Sequence, residues 1–277
     1  MKNIIFFLSV TCILISAPAY AGSHVFFYKI TPDQVWKANI SSRNESNFMG
    51  QKNVTRTKNF IEYKVLKGPR PGWVTLSARI ETPSQTAGGL MDPKQMRFQA
   101  DMHKSGELRD IKASGADQKP DQLNEADLPP EMAAMYKQSF QIMADAWKAS
   151  AFWFPEFPEE KLEPGDEFDI TQKTGMSGAG MDMQTVSKQV FTLEDVNDGL
   201  AYFSVKERSL TKSSIPVSGK TDTKTAGKGE AIFDLRDGMW VEMTTKSRTK
   251  IKLGNIPGMG AYESEMLNIR KIVMEKK

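Results

Sequence analysis

The sequence predicts a mainly β fold: two related, curled, half-barrel-like antiparallel β-units with one long amphipathic helix packed on their concave face. Three observations predict it. Alternating apolar and polar runs recur along most of the chain, short turn signals separate them, and a single stretch near the middle switches to a three- and four-residue apolar period.

The first element is a leader. Lys2 supplies a charged start, Ile4 to Ile15 an apolar run, and Ala19-Tyr20-Ala21 the small-residue pattern of a cleavage site before Gly22. Together these match a secretory signal peptide over residues 1–21, with cleavage expected after Ala21. The run is shorter than the roughly 20 residues a bilayer requires. Thr11 before Cys12 does not fit a lipid-attachment signal, so the expectation is a soluble protein in the periplasm or outside the cell. Loss of the leader removes Lys2 and the single cysteine, Cys12, which leaves a near-neutral chain without a thiol. Such a chain cannot use disulfides, and its stability has to come from an apolar core. Near-neutral charge, with Lys and Arg scattered among acids along the strands, argues against a nucleic-acid partner. No later stretch is apolar for long enough to be a membrane span.

Residues 22–126 read as the first antiparallel unit and a polar loop. Gln34 to Ser41 and Trp73 to Ile80 alternate, and Lys67-Gly68-Pro69-Arg70-Pro71-Gly72 and Lys104-Ser105-Gly106 supply turns. Residues 127–158 read as the helix and a connection rich in proline and aromatic residues. Leu128-Pro129-Pro130-Glu131 gives proline and an acid at a first turn, and Pro155 ends the segment. Met132, Met135, Tyr136, Phe140, Met143, Trp147 and Ala151 form its apolar stripe. Residues 159–277 read as the second unit, with alternation at Ala201 to Val205, Ala231 to Leu235 and Leu267 to Val273. Its turns are Asn197-Asp198-Gly199 and Arg236-Asp237-Gly238. Short spacing between strands favours antiparallel meanders over parallel crossovers. A weak internal repeat relates the units: Pro32-Asp33-Gln34-Val35-Trp36 is like Pro164-Gly165-Asp166-Glu167-Phe168, each opening an extended stretch.

Candidate chemistry is sparse. His103 lies two residues from Asp101 on one strand face, before a hairpin turn, and is the candidate general base; His24 sits beside the processed terminus. Gly175-Met176-Ser177-Gly178-Ala179 ends in alanine and so fails as a nucleophile elbow. Ser218-Gly219-Lys220-Thr221 has the tail of a phosphate loop but Ser214 where the first glycine belongs. Asp195-Val196-Asn197-Asp198-Gly199 starts like a calcium loop, yet its glycine comes one position early, and it reads as a β-turn. The acids Glu156, Glu159, Glu160, Glu163, Asp166, Glu167 and Asp169 read as a solvated connection. Met176, Met181 and Met183 crowd a Gly/Ser loop, and thioethers can take Cu(I), but methionine also fills irregular cores. No catalytic residue, metal ligand or cofactor is assigned.

The leader, the long curled strands and the helix on their concave side resemble the bacterial outer-membrane lipoprotein carriers and related lipid-binding exported proteins; the doubled plan is similar to duplicated exported families. The resemblance implies an exported, non-catalytic protein that binds a lipid, an acyl chain or another apolar ligand. The expected ligand face is Met132, Tyr136, Phe140, Met143 and Trp147. An envelope scaffold or protein-interaction module with a filled interior is one alternative, and a hydrolase using His103 or the acidic segment 156–169 is the other.

Overall fold

The computed structural model describes residues 22–48, 51–81, 97–114, 151–178, 181–215, 219–256 and 260–277. They form eleven strands: β1 (Val35–Phe48), β2 (Gln51–Lys67), β3 (Trp73–Glu81), β4 (Arg97–His103), β5 (Leu108–Ser114), β6 (Glu167–Gly178), β7 (Met181–Asn197), β8 (Leu200–Ile215), β9 (Gly219–Asp234), β10 (Met239–Ile256) and β11 (Gly260–Lys276). All lie in one antiparallel sheet of order β5-β4-β3-β2-β1-β11-β10-β9-β8-β7-β6.

Turn chemistry sets the strand breaks. Asp198 and Gly199 both have positive φ, 51° and 78°, between paired Asn197 and Leu200. This is the two-residue hairpin whose twist matches its strands. The same three-hydrogen-bond turn opens both β1 and β6. Asp33 and Gly165 have positive φ, their amides donate to the carbonyls of Val65 and Leu193, and those residues donate back to Gln34 and Asp166.

Strands of 14 to 18 residues, such as β1 and β10, are about 45–60 Å long at some 3.3 Å per residue. Their apolar alternation is confined to one end, the end of the β2–β3, β4–β5, β7–β8 and β9–β10 turns. There Trp36, Ala38 and Ile40, Ile61, Tyr63 and Val65, Phe191 and Leu193, Phe203 and Val205, and Phe233 all point inward and are buried. Two extended segments fill the space they enclose. From one, Phe26 and Tyr28 are buried; from the other, Phe152, Phe154, Phe157 and Leu162. The Phe157 ring meets Phe26, Tyr28, Phe168, Phe233 and Trp240 at centroid distances of 4.9 to 5.6 Å. Rings from β6, β9 and β10 thus converge on one plug, which requires the sheet to curl around it.

Backbone hydrogen bonds tie the plug to the turns. Tyr28 N donates to Lys104 O, Phe157 N to Ser105 O and Lys29 N to Gly238 O, while His24 and Leu162 form a two-way bridge. Gly238 is required there, because a Cβ would come within 2.4 Å of the Lys29 nitrogen. Two polar groups buried in the plug are paired with each other: Trp240 Nε1 donates to the Tyr28 hydroxyl at 2.7 Å, which donates to Pro155 O at 2.8 Å.

Two expectations about the fold are corrected. The strands do not form two separate curled units: β1 pairs with β11 along twelve residues, from Trp36↔Lys276 to Asn47↔Glu265, and makes one continuous sheet. Nor is a helix seen on the concave face, since the described residues form no helical element and the interior is occupied by extended chain. The interior that the expected helix would cover is filled instead by Phe152-Trp153-Phe154-Pro155-Glu156-Phe157-Pro158, where two prolines without amide hydrogens keep the backbone extended and the two-residue spacing of Phe152 and Phe154 directs both rings inward. The proposed ligand face, Met132, Tyr136, Phe140, Met143 and Trp147, lies outside the described residues, as does the leader 1–21.

Candidate ligand cavity on the inner face

Above the aromatic plug the inner face changes character. Inward positions alternate with outward ones as before, but they carry serine, threonine, asparagine, glutamine and glycine. Threonine hydroxyls pair across strands, Thr185 with Thr211 and Thr225 with Thr249, each at 2.9 Å. At the boundary between plug and polar wall lies a cavity of about 200 Å³, lined by Phe152, Trp153, Gln189, Glu207, Asn268 and Arg270 among others.

Two adjacent rows of the sheet build it. In the first, register sets Gln189 opposite Glu207, Glu207 opposite Gly227, Gly227 opposite Ser247 and Ser247 opposite Asn268. In the second, Val205, Gly229, Thr245 and Arg270 follow one another across β8 to β11. The two glycines hollow out the middle. A Cβ on Gly227 would come within 2.5 Å of Glu207 Oε1, and one on Gly229 within 2.3 Å of the Thr244 carbonyl oxygen. Glu207 therefore leans over a bare stretch of strand that any side chain would fill.

Arg270 is the unusual group. Its side chain is half-buried, and burial pulls its pKa below the ordinary arginine value, opposed by the hydroxyl of Tyr63 and the carboxylate of Glu207. Glu207 attracts it across the hollow, yet the two make no ion pair within 4.0 Å. Asn268 Oδ1, in the neighbouring row, is buried with no hydrogen-bond partner. Burial also pushes the Tyr63 hydroxyl well above its usual range; that hydroxyl donates to Ala151 O at 2.6 Å. The Trp153 indole N–H lies beside Tyr63 without reaching hydrogen-bond geometry. The cavity thus brings together a half-buried cation, an anion and an unfilled acceptor. That set is complementary to a ligand carrying both an acid and hydrogen-bond donors.

Sequence reasoning named none of these residues. The residues it did weigh fall elsewhere. His103 ends β4, where Nδ1 is 3.0 Å from Ser105 Oγ and the ring lies 5.2 Å from Trp73. Asp101 instead accepts from Thr75 Oγ1 at 2.6 Å, so the proposed base and acid are each engaged with another residue. The acidic run is dispersed: Asp166 accepts from Glu163 N, Glu167 from Thr192 Oγ1, and Asp169 pairs with Lys188. Met176 and Met183 sit opposite each other near the end of the β6–β7 hairpin. Among the described residues no group of three His, Cys, Asp or Glu could hold a metal ion. Asp195–Gly199 is the β7–β8 turn that its sequence indicated.

No family model matches the chain, and no curated protein matches it in sequence. Among solved structures it is similar to a bacterial polysaccharide outer membrane secretin, at 8 % identity and TM-score 0.32 over 88 % of this chain and 99 % of that one. It is also similar to Neisserial surface protein A, at 7 % identity and TM-score 0.22 over 86 % and 96 %. A third is Ail, the attachment invasion locus protein of Yersinia pestis, at 6 % identity and TM-score 0.20 over 88 % and 100 %. At these values the matches carry no functional argument, and function is argued from the cavity and the sheet faces.

Proposed function

We propose that the protein is an exported, non-catalytic binding protein whose inner cavity holds a small polar ligand bearing a carboxylate and at least one hydrogen-bond donor. The single observation behind this reading is a pair of charges held apart: the half-buried Arg270 and the Glu207 carboxylate line one hollow without forming an ion pair. Holding a partly buried cation apart from the nearby anion costs free energy that a ligand bridging the two would recover. The carboxylate would meet Arg270, and a donor such as an ammonium or hydroxyl would meet Glu207 and Asn268. Export rests on the leader at 1–21.

The acyl-chain reading has less support. An acyl chain needs an enclosed apolar space, because each methylene left in water costs about 0.8 kcal/mol. Here the apolar part of the interior is filled by Phe26, Tyr28, Phe154 and Phe157, and the open part is lined by amides, hydroxyls and charges. The outward face does not suit lipid either: Lys206, Arg208, Lys228, Lys246 and Arg248 occupy positions where a membrane barrel carries its apolar band.

The test is a thermal-shift screen of the mature chain against amino acids and 2-hydroxy acids, repeated with R270M. A ligand at about 100-fold its Kd adds roughly 2.7 kcal/mol, or some 5–10 °C for a chain of this size. R270M should lose that shift while staying folded, with a cooperative transition in the absence of ligand. If R270M keeps the ligand shift, or if fatty acids stabilise the protein where the acids do not, the reading is wrong.

A further inference from the structure

The convex side of the sheet carries a second feature, separate from the cavity. Outward-facing side chains of β7 to β10 form two adjacent cationic rows. Register sets Lys206 opposite Lys228 and Lys228 opposite Lys246 across β8, β9 and β10. Two positions further along, Lys188 lies opposite Arg208, and Arg208 and Arg248 flank Ala226. Like charges directly opposite one another destabilise a sheet, so the rows are not there for folding.

Nearby acids neutralise them only in part. Lys188 pairs with Asp169 at 3.3 Å, Lys206 reaches Glu167 only at 4.0 Å, and Arg248 lies 3.8 Å from Glu265. Arg208, Lys228 and Lys246 have no ion-pair partner among the described residues. Within the second row the short side chain of Ala226 leaves a groove of about 720 Å³, bordered at its ends by half-buried Val190 and Leu267.

We infer that this groove docks a linear acidic polysaccharide. Cations on neighbouring strands repeat at the inter-strand spacing of about 4.8 Å, so a linear polyanion lying across the strands meets a cation at each one. The lining contains no aromatic ring, which removes the stacking that single-stranded nucleic acid relies on. It also offers no protruding apolar anchor, and a twisted convex sheet touches a flat bilayer only along a line, so a lipid surface fits poorly. Charge complementarity, in a groove with neither a ring to stack a base nor an apolar anchor for lipid, selects the uronate chain.

The experiment measures binding of the mature chain to polygalacturonate, to a single-stranded DNA oligomer of matched charge and to phosphatidylglycerol vesicles, each at low and moderate salt. Polygalacturonate should bind most tightly and lose on the order of 10-fold affinity or more as salt rises from about 50 to 200 mM. The double variant K228E/K246E should abolish that binding. It should also hold or raise the melting temperature at low salt, since it leaves one facing like-charge pair, at 228 and 246, where the parent has two. The variant R270M, whose change lies in the cavity, should bind polygalacturonate as the parent does, which separates failure here from failure of the cavity reading. Unchanged binding by K228E/K246E, or DNA or vesicles binding as tightly as polygalacturonate, overturns the inference.

Discussion

Truncating Phe157 to alanine tests whether extended chain fills the curled sheet. The side chain is 2 % exposed and its ring touches five others, contributed by the N-terminal segment, β6, the end of β9 and the start of β10. Losing the ring removes about 2–3 kcal/mol of transfer free energy. It also leaves a void of roughly 100 Å³, worth about 2.4 kcal/mol at 24 cal/mol per Å³, because rings held by hydrogen-bonded strands cannot close in. The expected loss is therefore about 4–5 kcal/mol, or a fall in melting temperature of roughly 10–20 °C. The backbone hydrogen bond from Phe157 N to Ser105 O survives the change, so the loss reports the ring alone. Urea unfolding followed by tryptophan fluorescence measures it, with F27A as control. Phe27 lies on the N-terminal segment but is 39 % exposed, and its truncation should cost under about 0.5 kcal/mol. A loss below about 1 kcal/mol for F157A, or equal losses for both variants, would refute the plug.

Two further outcomes follow from the buried tyrosines. Tyr28→Phe strands the Trp240 N–H and the Pro155 carbonyl, which the hydroxyl now joins, and should cost about 1–3 kcal/mol in the same urea assay with little change in fold by circular dichroism. Burial raises the pKa of both Tyr28 and Tyr63 above the ordinary value of 10.0. The unfolded chain therefore releases these protons first as pH rises. Stability should be unaffected by them below about pH 10 and should then fall by about 1.4 kcal/mol per pH unit for each tyrosine; Tyr28→Phe should halve that slope, read from urea midpoints at pH 8, 9.5 and 11.

What could be read in the sequence follows from which forces act locally. Turns are local, and Asn197-Asp198-Gly199 and Arg236-Asp237-Gly238 announce theirs through residues that tolerate positive φ. Alternation is local too, so Trp36, Ala38 and Ile40 mark the inner face of β1. Beyond the plug that signal vanishes, because serine and threonine face inward while lysine faces outward, and strand length is hidden. The joining of the halves depends on β1 meeting β11, a pairing between distant segments that no window can show. The aromatic segment was legible only as a connection, because the filling of the curled sheet by Phe152, Phe154 and Phe157 depends on distant strands that periodicity cannot see. The cavity is the least legible part. Glu207 and Arg270 each look like one more charge on a polar strand, and only register places them across the same hollow. The one available clue is Gly227 and Gly229, two glycines inside a strand run, which often mark close approach of another group.

The β1–β11 ladder also governs the order of assembly. β1 can zip to β2 as soon as both have emerged, since a short hairpin joins them, but its other edge stays bare until the last strand arrives. Closure of that edge brings together strands from opposite ends of the sequence, which places the slow step of folding at the very end and at high contact order. Until then β1 presents a row of unpaired amides and carbonyls, a template for any passing strand. A chain stalled before β11 should therefore aggregate through β1, and a peptide with the sequence of Gly260–Lys276 should rescue it by occupying that edge.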